Sequence, residues 1–337
     1  MSTQARRAAM RLAAGGAVLA AAIACAWMRA ADAQGVDVRF RLDWFPKGIH
    51  ALFWTAKAKG FYTEQNLNVA ITPGDGSGNT IKLVGSGEVD FGFADGPTGI
   101  VGRSRGIPVV AIGAVHQRNP EGIVSLKEYG ITKPKDLEGK IFGIQPQSAT
   151  YPFWLAFAQM NNIDRSKVRE IATPGEVPVF ILTKRVQAVV AMSDNELITI
   201  ESKLAGPGSA HFMLGDEYGF KAYGHSLFTN EKMVRERADV VRRFLLATKK
   251  GMQYAMDHQG EAIDILVRQF PDLNRLIAER QLAYSARALV TSADTEGHGL
   301  LWMVKARWDL TERVMIEQKV ATGPVDTAKF FTTEFLR

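Results

Sequence analysis

The feature that most constrains the fold of this chain is a regular alternation of short apolar runs with segments of helical periodicity. Apolar runs at 36–42, 67–72, 89–94 and 108–115 have the length of strands. Each is followed by a segment in which apolar residues recur at the spacing of one helix face. Strands that alternate with helices predict a mainly parallel sheet with crossover connections.

The same alternation starts again after a polar, turn-forming stretch at 116–121. The second set of strand-like runs lies at 122–126, 141–144, 168–172 and 187–192. A run at 225–228 is predicted to return to the first sheet, and the chain after residue 230 is predicted to be helical. The fold class is therefore α/β, with two sheets that are each flanked by helices.

Two lobes with two crossings of the chain follow from this order. We predict residues 34–118 and 222–337 in the first lobe and residues 119–221 in the second. Two adjacent crossings form a hinge, and the cleft between hinged lobes is the natural place for a small-molecule site.

The first 33 residues have the character of an export signal. Arg6, Arg7 and Arg11 precede the apolar stretch 12–27, and small residues at 31 and 33 suit a signal peptidase. The stretch is short for a membrane span. We predict a signal peptide over 1–33, cleavage before residue 34 and a periplasmic location. A twin-arginine signal and a lipid anchor at Cys25 remain alternatives.

Cysteine content and charge exclude several function classes. Cys25 is the single cysteine, so a chain cleaved after residue 33 has no thiol for nucleophilic catalysis or for a cysteine zinc site. Loss of the four arginines and one aspartate of the signal lowers the net charge from +6 to +3. No cluster of basic residues predicts a nucleic-acid partner.

Motifs of the common catalytic classes are missing from the sequence. It contains no phosphate-binding G-x-x-x-x-G-K-[ST], no H-E-x-x-H and no G-x-S-x-G, and its six histidines show no metal-ligand spacing. We therefore predict no catalytic residue, no metal and no cofactor.

The loop after the first strand is the leading candidate for a binding element. It holds Asp43, Trp44 and His50 where the strand ends and a helix begins, which is where ligands bind in open α/β sheets. Trp44 is expected to stack on a ligand ring, and Asp43 to accept hydrogen bonds. Phe45 is expected to cover the core. His50 either donates to a ligand or caps the helix.

Two further loops precede helices and expose backbone N–H groups. Gly76, Ser77 and Asn79 form one in the first lobe. In the second lobe the corresponding residues are Gln147, Ser148, Ala149 and Thr150. Helix N-termini favour electron-rich groups. Plain helix capping by Ser, Thr and Asn is the alternative interpretation.

Acidic and amide side chains also end two later strands. Asp95 follows the third strand, and Asp194 and Asn195 follow the strand at 187–192. If these side chains face the cleft, they would accept hydrogen bonds from ligand N–H groups. Turn formation is the alternative interpretation.

Several segments together resemble one family of exported proteins. They are Leu-Asp-Trp-Phe-Pro at 42–46 with His50, Ala-Lys-Ala-Lys-Gly-Phe-Tyr at 56–62, and the segments 85–92, 105–109, 136–140 and 239–254. This combination resembles the substrate-binding proteins of ABC importers for nitrate, sulfonate, taurine and thiamine-pyrimidine precursors. The resemblance extends from about residue 37 to 270. It implies the two-lobed type II periplasmic-binding-protein fold, with a membrane permease and its ATPase as partners.

The same family includes the thiamine pyrimidine synthases, which makes an enzyme the rival hypothesis. That branch resembles this chain at Trp44, Pro46 and His50. It uses pyridoxal phosphate, iron, a lysine, a histidine four residues later and a cysteine-rich segment. Here the lysine position falls on Ala94 and the histidine position on Thr98. Without an amine at Ala94 no Schiff base forms there.

The sequence therefore predicts a monomeric binding protein and not an enzyme. Its predicted ligand is a small polar heterocycle of the thiamine pyrimidine precursor class. An organosulfonate-, nitrate- or taurine-type anion is the alternative, and it would call for more arginine or lysine in these loops than the sequence has.

Overall fold

The computed structural model describes residues 35–146, 148 and 150–337. The predicted signal peptide and Cys25 lie outside the described residues, as do Gln147 and Ala149. Among the helices of the described part, none is both long and apolar enough to cross a membrane.

The first sheet contains five of the described strands. They are β1 (Val36–Arg41), β2 (Leu67–Thr72), β3 (Phe91–Asp95), β4 (Val109–Ala114) and β10 (His225–Asn230). Their order is β2-β1-β3-β10-β4. β1 pairs in parallel with β2 and β3, whereas β10 is antiparallel to both of its neighbours. In β2 the residues alternate between buried and exposed, which is the period of a strand with one covered face.

The second sheet repeats this plan with the other described strands. They are β5 (Glu121–Leu126), β6 (Ile141–Ile144), β7 (Arg169–Ala172), β8 (Ala188–Met192) and β9 (Ala210–Leu214). Their order is β7-β6-β8-β5-β9, and β5 is antiparallel to β8 and β9. Each sheet therefore carries one reversed strand among four that run in one direction. The edge strand β9 was not predicted, because its neighbouring sequence is polar and rich in glycine.

Helices cover the sheets as the α/β class requires. The described helices are α1 (Ala51–Ala58), α2 (Phe61–Glu64), α3 (Ser77–Ser86), α4 (Gly96–Ser104), α5 (Thr150–Met160), α6 (Val177–Leu182), α7 (Glu196–Ser202), α8 (Glu231–Glu236), α9 (Ala238–Asp257), α10 (Gln259–Gln269), α11 (Arg275–Ala288), α12 (Lys305–Glu317) and α13 (Thr327–Phe330). The longest, α9, packs on the first sheet. There Phe244 stacks on Phe91 with the ring centres 3.9 Å apart. The prediction of a two-sheet α/β protein is confirmed.

The chain passes between the sheets twice, and the two passages touch. They are the segment from β4 to β5 and the segment from β9 to β10. The Gly224 N–H donates to the His116 carbonyl at 3.0 Å. A Cβ atom on Gly224 would lie 2.7 Å from Cδ of Pro120 and 2.9 Å from Cβ of His116. Only a residue without a side chain allows the passages to lie this close.

Candidate functional site

Asp43 lies at the end of β1 and is the centre of a buried charge cluster. Lys47 Nζ is 2.8 Å from its Oδ2, and His50 Nε2 is 2.8 Å from its Oδ1. His225 Nε2, at the start of β10, lies 3.0 Å from Oδ2. All four side chains are buried. We call these four residues the Asp43 cluster.

The hydrogen bonds of the loop determine which tautomer His50 adopts in this cluster. Residues Gly48–His50 form a 3₁₀ turn, within which the Lys47 backbone N–H donates to Nδ1 of His50 at 3.3 Å. Nδ1 is therefore an acceptor, so the proton sits on Nε2 and is donated to Asp43. Burial lowers the pKa of His50, which is consistent with a neutral ring.

Asp43 and Lys47 form an ion pair within the cluster. Burial alone would raise the pKa of Asp43, but Lys47 and His225 outweigh it and hold the pKa well below its ordinary value. Burial alone would likewise lower the pKa of Lys47, but the charges of Asp43 and Asp194 hold it above its ordinary value. The Lys47 amine is thus protonated and neutralised inside the cluster.

The loop after β8 brings the second lobe to the same place. Asp194 is buried, and its Oδ2 lies 3.5 Å from His116 Nε2 of the hinge. Glu196 accepts from the Met192 backbone N–H at 2.8 Å and from the Asn195 side-chain amide at 3.0 Å. Burial raises the pKa of Glu196. The loop is therefore held rigidly by its own acid.

Several buried polar atoms of this region have no hydrogen-bond partner among the described residues. They are Nδ1 and Nε2 of His116, Nδ1 of His225, Oε1 of Glu121, Oγ of Ser193 and Oδ1 of Asp194. We call them the unpaired cleft atoms. A buried polar group without a partner costs about 1–3 kcal/mol, and native proteins contain few of them. They come from both sheets and from the hinge, and His116 lies next to both Asp194 and His225.

The site is rich in carboxyl groups. Four buried acids, Asp43, Asp95, Glu121 and Asp194, and the half-buried Glu196 surround one lysine and three histidines. Burial raises the pKa of Asp95, and it raises the pKa of Glu121 well above its ordinary value. Burial also lowers the pKa of His116 to about 3, so this ring is neutral and offers one donor and one acceptor. The unpaired cleft atoms therefore comprise carboxyl oxygens together with a donor and an acceptor of the His116 ring.

The predicted residues of the first-lobe loops are used mainly to join those loops. Ser77 Oγ accepts from the Asp95 backbone N–H at 3.0 Å, and the Gly76 N–H donates to the Asp43 carbonyl at 2.8 Å. The Asp95 carboxylate caps α4 by accepting from the Thr98 N–H at 2.9 Å. These bonds hold Asp43 and Asp95 next to each other. Ligand contact by Gly76, Ser77 and Asp95 stays a prediction.

Other predicted residues lie apart from the Asp43 cluster. Asn79 is exposed, and its amide donates to Asp75 at 2.8 Å. Ser148 and Thr150 bond to each other through their hydroxyls at 3.1 Å, in the manner of a helix cap. Their contact with a ligand, and that of Gln147 and Ala149, stays a prediction.

The two aromatic residues of the first loop point outward. Trp44 is 42% exposed and Phe45 is 61% exposed, with their rings edge to face at 5.6 Å. The prediction that Phe45 covers the core is wrong, because Asp43 already turns inward and the next residues must turn away. A stacking role for Trp44 remains a prediction.

Sequence reasoning missed several members of the site. Lys47, His116, Glu121, His225, Gln281 and Ser285 were not among the predicted residues. For His116, Glu121 and His225 the signal was a polar side chain beside the hinge or at the start of an apolar strand. Among the described residues no group of histidine, cysteine and acid side chains has the arrangement of a metal site.

A groove on the surface of the first lobe lies elsewhere. It has a volume of about 520 Å³ on the outer face of the first lobe, between α2, α9 and residues 299–300. None of its polar lining side chains is buried. This groove therefore lacks the buried polar side chains that surround Asp43.

Comparison with known proteins identifies the family. The NMT1/THI5-like family model matches residues 48–262, which is more than half of the chain. The chain belongs to the NMT1/THI5-like family. A similar curated member is the formylaminopyrimidine-binding protein of Halalkalibacterium halodurans. It is 26% identical over 252 residues, which cover 74% of this chain and 76% of that protein.

A second family relative is named as an enzyme. The 4-amino-5-hydroxymethyl-2-methylpyrimidine phosphate synthase of Legionella pneumophila is 23% identical over 306 residues, covering 89% of this chain and 92% of that protein. Among solved structures, the periplasmic aliphatic sulphonate binding protein of Escherichia coli superposes with a TM-score of 0.69. It shares 12% identity and covers 87% of this chain and 91% of that one. This NMT1/THI5-like protein therefore has the periplasmic-binding-protein fold.

Proposed function

We propose that this protein is the solute-binding component of an ABC importer. In this proposal it captures a small heterocycle that bears N–H groups, of the thiamine pyrimidine precursor class, between its lobes. It then delivers this solute to a membrane permease and its ATPase. The observation that carries the proposal is the convergence of the unpaired cleft atoms from both lobes and the hinge.

The chemistry of these atoms favours an aminopyrimidine. Glu121 Oε1 and Asp194 Oδ1 are carboxyl oxygens, which accept from an exocyclic amine or a protonated ring nitrogen. The neutral ring of His116 offers a donor to a ring nitrogen and an acceptor to an N–H group. The name of the Halalkalibacterium halodurans relative, a formylaminopyrimidine-binding protein, supports the same ligand class.

An anion such as an organosulfonate, nitrate or taurine is the second ligand class. Its support is the shared fold with the Escherichia coli sulphonate-binding protein. Among the described residues the cleft lacks a free cation for it, because Lys47 is already paired with Asp43 and the other buried titratable side chains around it are carboxyl groups and histidines. A buried anion needs a free cation or several donors.

The residues present do not fit the pyridoxal phosphate of the synthase branch. Ala94 stands where the lysine would be and lies buried in β3 opposite Ser226. Lys47 is the buried amine of the cleft, but its pKa is raised and it is paired with Asp43, so it is not a free nucleophile. We therefore propose binding, and not synthesis, as the activity.

Export and lobe motion complete the proposal. A cleavable signal over 1–33 would place the protein in the periplasm, and we propose that it acts there as a monomer. The lobes, 34–118 with 222–337 and 119–221, would close around the solute, since only the closed state brings both sets of polar atoms to it.

The test is direct measurement of binding by the purified chain. Calorimetry with formylaminopyrimidine, 4-amino-5-hydroxymethyl-2-methylpyrimidine, an alkanesulfonate and nitrate should show binding of a pyrimidine and none of the anions. Binding of the sulfonate alone would overturn the ligand class. Release of a pyrimidine product after incubation with pyridoxal phosphate and iron would overturn the assignment as a binding protein.

A further inference from the structure

Helix α11 belongs to the first lobe but reaches the second. Ala278 and Leu282 on one of its faces are fully buried in the core of the first lobe. Gly48 packs against the same helix so closely that a Cβ atom there would lie 2.3 Å from the Ala278 carbonyl oxygen. The helix therefore moves with the first lobe.

Gln281 bridges the two lobes from this helix. Its Oε1 accepts from the Gly48 backbone N–H at 2.7 Å, and its Nε2 donates to Asn195 Oδ1 at 2.8 Å. The side chain is 4% exposed. Because a backbone N–H is only a donor, the oxygen end of the amide must face Gly48. The amine end is thereby directed at the second lobe.

Ser285 repeats the contact one turn further along α11. It is fully buried, and its hydroxyl donates to Asp194 Oδ2 at 3.1 Å. Residues four apart lie on one helix face, so Gln281 and Ser285 point at the same target. Both acceptors belong to the loop that follows β8.

The loop after β8 is held in an orientation that suits this contact. Asn195 donates its amide N–H to Glu196, which leaves its oxygen directed at Gln281. Glu196 in turn is anchored by the Met192 backbone N–H. The orientation of both amides in the bridge is thus determined by bonds at their far ends.

We propose that Gln281 and Ser285 form a latch that holds the lobes closed and sets the rate at which bound solute leaves. They are positioning residues, because they bond to Gly48, Asn195 and Asp194 and not to the solute. The predicted effect on the rate of solute dissociation rests on the proposed function, whereas the predicted effect on lobe closure does not. A solute enclosed between the lobes leaves only after they open, so loss of a bond made only in the closed state accelerates dissociation.

The kinetic test uses formylaminopyrimidine as the probe and two variants. Ser285→Ala removes one hydroxyl without changing the packing of α11, and Gln281→Met keeps the volume while it removes both amide bonds. Each should accelerate dissociation in stopped-flow measurements by about tenfold, as expected for one buried hydrogen bond, with association changed less than about twofold. Glu279→Ala is the matched control, because that carboxylate pairs with Arg275 of the same helix. An unchanged dissociation rate in both variants would overturn the latch.

A second measurement requires no solute. Spin labels on Lys82→Cys in α3 and Lys203→Cys after α7, both exposed sites, would report the distance between the lobes in a Cys25→Ser background. The closed distance should be populated in the parent and depleted in Ser285→Ala and Gln281→Met. Identical distributions would overturn the latch. If no pyrimidine binds, the proposed function is contradicted. The distance measurement then still tests the latch, because it requires no solute.

Discussion

At the scale of single residues, the polar side chains of the cleft differ in how fully their hydrogen-bonding capacity is used. Both oxygens of Asp43 have partners, and so do both oxygens of Glu196. Glu121 and His116 keep buried atoms without a partner among the described residues. Asp43 and Glu196 therefore hold the loops in place. In our proposal Glu121 and His116 bond to a solute, and their unpaired atoms lower the stability of the free protein.

Glu121→Gln should stabilise the free protein at neutral pH. Burial raises the pKa of Glu121, so the folded protein binds a proton that the unfolded chain releases as the pH rises above the ordinary carboxyl value. Stability contributed by this group is therefore full at low pH and is lost as the pH rises through the folded pKa. We expect a gain of about 1 kcal/mol at pH 7 in urea unfolding and weaker binding of formylaminopyrimidine. A destabilised variant would contradict this account.

His116 should make the protein sensitive to acid. Burial lowers its pKa from 6.5 to about 3, so the unfolded chain binds a proton that the folded protein rejects between these values. Stability from this group is present above pH 6.5 and is lost as the pH falls toward 3. His116→Gln should show a flatter dependence of unfolding free energy on pH over this window. His258→Gln, on an exposed histidine, is the control and should follow the parent.

At the scale of elements, the Asp43 cluster joins the end of β1, the 3₁₀ turn that follows and the start of β10. The contact between Asp43 and His225 spans strands that are far apart in sequence. A buried ion pair of this kind contributes little net stability compared with an apolar pair, but removing one member leaves a buried charge alone. The cluster therefore behaves as one unit.

Asp43→Asn should destabilise the fold by about 3–5 kcal/mol, because it leaves the Lys47 ammonium buried without its counter-ion. Chemical unfolding measures the effect. The double variant Asp43→Asn with Lys47→Met should recover much of the loss, because no buried charge is left unpaired. Asp75→Asn, at an exposed ion pair with Arg41, should cost less than about 1 kcal/mol. Equal losses of unfolding free energy in Asp43→Asn and Asp75→Asn would refute the role of burial.

At the scale of the whole molecule, function depends on two passages of the chain that lie in contact between two sheets. Each sheet has one reversed strand, and in the first sheet it is the strand β10 that enters directly from the hinge. The hinge thereby places His116, Glu121 and His225 between the lobes. If the lobes move as proposed, the residues at the hinge also supply polar groups to the proposed site.

Gly224→Ala should disturb this hinge. The new methyl group would lie 2.7 Å from Pro120 Cδ, and overpacking of this kind costs about 1–3 kcal/mol. We expect a lower unfolding free energy together with weaker solute binding. Gly260→Ala is the matched control, since that position in α10 has open space and alanine favours helices. A Gly224→Ala variant as stable as the Gly260→Ala variant would contradict the close contact of the passages.

The elements of this protein follow from its sequence because periodicity is a local property. The alternation of strands and helices predicted both sheets, and the return of the strand at 225–228 is confirmed in β10. The edge strand β9 was missed because the sequence on both sides of it is polar and rich in glycine. The loop after β1 was recognised as important, but the outward turn of Phe45 depends on what already fills the interior.

Local sequence patterns predict the α/β class, the two-part order of the chain and the loops at which strands end. Which polar side chains meet depends on how the folded chain packs. Gln281 and Asn195 are 86 residues apart in the chain, and Asp43 meets His225 only because β10 returns to the first sheet. Those encounters depend on helix packing and chain crossing, which no local pattern encodes. They decide the charge of the cleft, because burial makes each pairing, or its absence, energetically large.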